Sequence, residues 1–135
     1  MKKFIIPICS ILLAVLTGIS CKKDYSSHDV TKSATSRKIR FQLYTNQDFS
    51  SNSSMINFSI LIRNARKTLL DSALAPMQIK DIPDATHKIV IEKTVSDDSD
   101  LAASFRYEIQ NVGISWYIDT SKAGNQVKVI DYAFQ

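Results

Sequence analysis

The sequence predicts an all-β protein whose folded part, residues 37–135, is a single antiparallel β-sandwich of seven or eight strands. Three observations carry that reading. From Arg37 onward the apolar residues recur with a period of two, which fits half-buried strands. The alternating runs are short and separated by polar turns, with no long helical pattern and no internal repeat. Removal of a 20-residue leader from the 135 residues leaves 115, enough for one domain with a modest core.

Taken in order, the first element is that leader. Residues 1–20 open with Lys2 and Lys3, pass through an apolar run from Phe4 to Leu16, and close on Thr17, Gly18 and Ser20. This charged, apolar, small-residue order is that of a secretory signal peptide. Pro7 and Ser10 interrupt the apolar run, which falls short of the roughly 20 residues a membrane-spanning helix needs.

The junction "TGISCKKD" places Cys21 directly after the leader. It resembles the lipobox of bacterial lipoproteins, in which a cysteine after a small residue receives lipid and becomes the mature N-terminus. Ser20 fits the position before the cut, while Gly18 stands where the family usually has leucine and Ile19 where it usually has a small residue. The resemblance implies that Cys21 is lipidated and attaches the chain to a membrane of the cell envelope. Lys22 rather than aspartate after the cysteine implies sorting to the outer membrane, in either leaflet. At about 0.8 kcal/mol per buried methylene, two or more acyl chains anchor a domain stably where one does not. Cys9 leaves with the leader, so the mature chain carries one cysteine and no internal disulfide.

Residues 21–36 follow as the lipidated cysteine and a flexible tether. "KKDYSSHDVTKSATS" is rich in Ser and Thr, nearly free of apolar residues and without periodicity. Fifteen such residues span on the order of 20 Å, enough to hold a domain clear of a bilayer surface. His28 lies within it as a solvated residue.

The domain begins with "KIRFQLYT", where Ile39, Phe41 and Leu43 share one face against Lys38, Arg40 and Gln42. "INFSILIR" sets Ile56, Phe58, Ile60 and Ile62 against Asn57, Ser59 and Arg63. The segment from Lys67 to Ile82 has no clean period and contains Pro76; it reads as a strand near 67–74 and a second near 77–82, with a helix over 68–74 as the competing reading. "HKIVIEKTV" groups Ile89, Ile91 and Val95, and "FRYEIQ" groups Phe105, Tyr107 and Ile109. "ISWYID" places Ile114, Trp116 and Ile118 in one phase, read as inward, and Tyr117 in the other. "QVKVIDYAF" changes phase between Val129 and Ile130, as a β-bulge requires. The result is immunoglobulin-like in size, without the Cys and Trp spacing of immunoglobulin domains.

Counting eight reversing strands assigns each connection to an end of the sandwich. The tether and the tight turns 64–66, 83–85 and 112–113 fall at one end, facing the membrane. The longer polar connections 46–54 and 96–100, with the Pro76 turn and 121–125, fall together at the other.

Composition excludes several functions. The formal charge of +4 includes Lys2 and Lys3 and is ordinary, and no Lys/Arg block forms a nucleic-acid footprint. The domain's one histidine, His87, follows the turn "IPDAT" with no identifiable nucleophile or acidic partner; there is no Cys/His cluster for zinc and no glycine-rich phosphate loop. A non-enzymatic module without a cofactor is the expectation. Asp97, Asp98 and Asp100 in "SDDSD" could offer oxygen ligands to Ca²⁺ but lack the ligand spacing, turn glycine and distal glutamate of an EF-hand loop, and read as a solvated turn. For a protein or glycan partner in the envelope, the candidate contacts are Phe49 and Asp48 in the first long loop, with Tyr44 and Tyr117 on outward phases. For Phe49 the reading as a plug over the end of the core outweighs the reading as a contact. The alternatives are a glycan-binding module and a hydrolase inhibitor at the cell surface: exposed aromatics grouped on one sheet face would mark a glycan binder, an apolar patch or uncovered edge strand a partner-binding module, and a concave pocket with His87 and a carboxylate converging in it an enzyme.

Overall fold

A computed structural model describes residues 35–135; the leader, Cys21 and the tether up to residue 34 lie outside the described residues. Eight strands follow in order: β1 (Ser36–Thr45), β2 (Met55–Arg63), β3 (Thr68–Ala73), β4 (Met77–Gln78), β5 (Ile89–Ser96), β6 (Leu101–Ile109), β7 (Gly113–Ser121) and β8 (Val127–Phe134). One short 3-10 turn, Ile79–Asp81, separates β4 from β5. The strands form two sheets, β5-β1-β8 and β3-β2-β6-β7, with β4 also paired to β2. This is the β-sandwich that the period of two demands. The strands are antiparallel with one exception: β1 and β8 run parallel, Lys38 opposite Val127 through Thr45 opposite Phe134.

The core forms where the inward phases meet. Ile39, Phe41 and Leu43 from β1 face Ile56, Phe58, Ile60 and Ile62 from β2, with Leu101, Ala103 and Phe105 from β6 and Ile130 and Phe134 from β8, all nearly inaccessible to solvent. Edge-to-face ring contacts join the sheets, Phe41 to Phe105 at 5.4 Å and Phe58 to Phe134 at 6.0 Å between centroids. The β6–β7 hairpin turns through Asn111 at φ 63° and Gly113 at φ 141°, conformations that asparagine and glycine adopt at least cost.

The segment 67–82 corrects the count of reversals. β3 and β4 both pair antiparallel with β2, Ser59 opposite Ala73 and Ile56 opposite Met77, so they run in the same direction as one interrupted strand. Leu74 still donates to the Phe58 carbonyl at 2.8 Å, and pairing lapses at Ala75 and Pro76, where proline has no N–H to give. No reversal occurs there, and every later loop changes ends. Loops 46–54 and 96–100 therefore lie at opposite ends, and the expected cluster of long loops does not exist. The chain's entry at Ser36 shares its end with 64–67, 97–100 and 122–126; the Thr45 end carries 46–54, 79–88 and 110–112.

Two phase assignments also change. In β7 the inward residues are Tyr117, Asp119 and Ser121, and Trp116 is half-exposed outside. In β8 no bulge intervenes; the register with β1 is continuous, Lys128 points inward opposite Ile39, and Val127 and Val129 point out. One seam explains both: Lys128 Nζ meets the Asp119 carboxylate at 2.7 Å between β7 and β8, so polar side chains hold positions that would otherwise be apolar. The register shift in the domain lies instead in the β2–β3 pair, between Ile62 and Arg63. Finally, Ser36 belongs to β1 rather than to the tether, and the Thr35 amide donates to Asp98 at 2.8 Å.

Candidate protein-docking face

The candidate contacts from the sequence do not converge. Phe49 is half-buried at the Thr45 end and packs on Phe134 with ring centroids 5.4 Å apart, closing the core. Asp48 is exposed beside it and accepts from the Ser50 amide at 2.9 Å, the bond that holds its carboxyl below the usual range. Tyr44 lies on the outer face of β5-β1-β8, where Lys88 covers its ring at 4.0 Å and its hydroxyl reaches Asp131 at 3.2 Å. Tyr117, placed outward by the sequence pattern, points into the domain and stacks on Tyr132 at 4.7 Å. Burial among these rings, then the Tyr107 hydroxyl, pushes the Tyr132 phenol up from its ordinary value.

Asp97, Asp98 and Asp100 sit at the opposite end from Asp48, each turned to a different donor. Asp97 accepts from Ser99 and from Asn64 Nδ2 at 2.9 Å, Asp98 from Thr35, and Asp100 from Lys122 and the Ala123 amide. Among the described residues no group of three acidic, His or Cys side chains converges on one point.

An open cleft of about 620 Å³ at the Thr45 end is bordered by Asp48, Phe49, Lys80, Asp84 and Thr86. His87 hangs beside it, and its Nδ1 lies 2.8 Å from Thr86 Oγ1 and 3.0 Å from Asp84 Oδ1. A relay from acid through imidazole to nucleophile needs both ring nitrogens, one toward each partner. Here a single nitrogen faces both, within one exposed four-residue turn, so the trio closes a turn rather than activating a hydroxyl. The Thr86 hydroxyl first, and then His87, hold the Asp84 carboxyl down to about 2.

Asp97, Asp100, Asp119 and Glu92 are likewise held low, by Ser99, Ala123, Lys128 and Arg40 respectively. A carboxylate depressed in the folded state stabilises it above the unfolded pKa, and that contribution is lost as pH falls through the folded pKa. The melting temperature is therefore expected to be level from neutral pH to pH ~4 and to fall between there and about 2. Circular dichroism melts across that window check this, and a level profile to pH 2 would contradict it.

The face that stands out is the outer side of β2, β6 and β7. Val112 at the hairpin tip and Ile114, Trp116 and Ile118 along β7 expose 77%, 53%, 49% and 51% of their surface. No described strand pairs with the far edge of β7, which carries neither proline nor lysine to blunt it. Cross-strand register aligns the face in rows: Ser59, Arg106 and Trp116; Leu61, Ser104 and Ile118; Arg63, Ala102 and Thr120. Because β6 contributes only Ala102 and Ser104 in two successive rows, the larger neighbours leave a trough of about 270 Å³ between them, lined by Leu61, Arg63, Ser104, Trp116 and Ile118. The Arg106 guanidinium lies 5.6 Å from the Trp116 ring centre, a cation–π contact. Among the described residues neither Arg63 nor Arg106 forms an ion pair.

Sequence reasoning named Trp116 but assigned it to the core, and it missed the trough. The available signal was the run Ala102, Ala103, Ser104, small residues in the first half of β6. Comparison with protein-family models, curated proteins and solved structures finds no match to this chain.

Proposed function

We propose that this protein is a lipid-anchored component of the cell envelope, held at the outer membrane through Cys21, whose β-sandwich is a non-enzymatic module that binds a protein partner with the outer face of β2, β6 and β7. The observation that carries the binding role is the stripe Ile114, Trp116 and Ile118, half-exposed on an uncovered edge strand. A contiguous apolar stripe at a sheet edge exacts a solubility cost unless something covers it. A glycan partner draws support from Trp116 alone, since Tyr117 packs inward and Lys88 covers Tyr44. A hydrolase under inhibition is one form that a protein partner could take.

The anchor and the face are tested separately. Cys21→Ser is expected to move the protein from the membrane to the soluble envelope fraction, or to accumulate it as uncleaved precursor; fractionation and processing like the parent's would overturn the anchor. For the face, a photo-crosslinking side chain at Ile118 is expected to give protein adducts in intact cells that the same group at Thr94, on the opposite sheet, does not. Adducts of equal yield from both positions, or of lipid mass from Ile118, would overturn the docking face.

A further inference from the structure

We infer that the partner presents an extended, acidic segment to this face, with an apolar side chain between two carboxylates at alternate positions; the inference rests on the protein-docking reading of the same face. The width of the trough sets the first requirement. Leu61 on β2 and Ile118 on β7 flank Ser104 from one strand spacing on either side, so the gap over β6 is about 10 Å across, room for a single extended chain or one row of side chains. Its walls are aliphatic and aromatic and its floor is the small, buried Ser104, which suits one inserted apolar side chain.

Charge sets the second. Arg63 stands in the row of Ala102 and Arg106 two rows further along β6, so the two guanidinium-bearing positions are four residues apart in register. At about 3.4 Å per residue, four residues of extended chain cover roughly 13 to 14 Å. A segment lying along β6 with carboxylates at positions one and five and an apolar residue at three matches both arginines and the trough in one register. Arginine favours this role because its planar fork meets a carboxylate with two parallel hydrogen bonds. Of the other cations, Arg40 and Lys38 are engaged with Glu92, Lys88 with Asp131, and Lys122 with Asp100, while Arg66, Lys67 and Lys80 are exposed without an ion pair among the described residues but do not line the trough. Arg63 and Arg106 differ from those cations in bordering the apolar trough, Arg63 in its wall and Arg106 over the Trp116 ring. Concavity argues for a peptide over a lipid surface, because a bilayer meets protruding side chains, whereas the trough is deepest over Ser104 with Leu61 and Ile118 above it.

The chain contains one tryptophan, and it lines the trough, so its emission reads the site directly. The probe is a synthetic heptapeptide with Glu at positions two and six and Leu at four, serines elsewhere, titrated into the domain at low salt. A saturable blue shift is expected. The same peptide with Lys for Glu, or with Ala for Leu, is expected to need at least tenfold higher concentration. In the Arg63→Glu, Arg106→Glu double variant, with an unchanged circular dichroism spectrum, the preference is expected to reverse in favour of the Lys peptide. Equal responses to the Glu and Lys peptides, or no reversal, would overturn the acidic partner while leaving a docking face. Silence to all peptides with a blue shift on vesicles of phosphatidylglycerol and phosphatidylethanolamine would overturn both that inference and the protein-docking reading. A shift that depends on protein concentration alone would assign the face to a second copy and overturn the acidic partner.

Discussion

Replacing Arg37 with methionine is expected to lower the unfolding free energy by about 3–5 kcal/mol, a large part of the 5–15 kcal/mol typical of a domain. The side chain is 1% exposed. Its Nε donates to the Asn125 carbonyl at 2.9 Å, and its two terminal nitrogens reach the carbonyls of Ser99 at 2.5 Å, Lys122 at 2.6 Å and Ser121 at 3.2 Å, with the Ser121 hydroxyl at 2.7 Å. Among the described residues no carboxylate forms an ion pair with it. The buried charge is balanced by converging carbonyl dipoles from two loops, 97–100 and 122–126, at the end where the chain enters the domain. Methionine fills much of the volume but leaves those oxygens without donors, and each buried acceptor left so costs about 1–3 kcal/mol, less where water can enter. Arg37→Lys is expected to recover little, because a single ammonium cannot span oxygens that a planar fork joins from several sides. Urea unfolding gives the difference, with an unchanged slope confirming that the native state is still compact. A loss under 1 kcal/mol for Arg37→Met would mean that water replaces the guanidinium, and that the two loops hold themselves.

Arg37 also shows why some of this fold was legible in the sequence and some was not. β1, β2 and β6 place only apolar residues on the central stretch of their inward face, so period two reports their orientation correctly. The rule behind that reading is that inward means apolar. It fails where the interior is polar: Arg37 lies two residues before Ile39 and so in the same inward phase, Ser121 receives it, and Asp119 and Lys128 pair across the β7–β8 seam. Those substitutions of polar for apolar inverted β7, hid Trp116 in the core and mimicked a bulge in β8. The interrupted strand 68–78 is a different failure. Pro76 marks a break in pairing equally well whether the chain reverses or runs on, and only the common partner β2 decides between the two. The site was illegible for a third reason: a trough depends on which rows of three strands align, and the strand order β3-β2-β6-β7 is not written in any one segment.

Phe105→Ala is expected to cost a further large amount, about 3–5 kcal/mol, and to do so without touching the outer face. Phe105 is fully buried on β6, the central partner of both β2 and β7. Its ring meets Phe41 of the other sheet edge-on at 5.4 Å, Phe58 at 6.3 Å and Tyr132 at 5.7 Å, so it joins β1, β2 and β8 through one side chain. Removing the ring forfeits its transfer from water and its edge contacts, and strands on both sheets hold the cavity open because they cannot close it without breaking register. Phe105→Leu keeps most of the volume and is expected to cost less than half as much. The contrast that gives these values meaning is Ile118→Ala, in the adjacent row opposite Ser104 and on the opposite side of the sheet. That residue is half-exposed and is expected to cost less than ~0.5 kcal/mol. If Ile118→Ala instead approached Phe105→Ala in urea unfolding, the β7 stripe would be part of the domain's own packing, and its exposure would no longer argue for a partner.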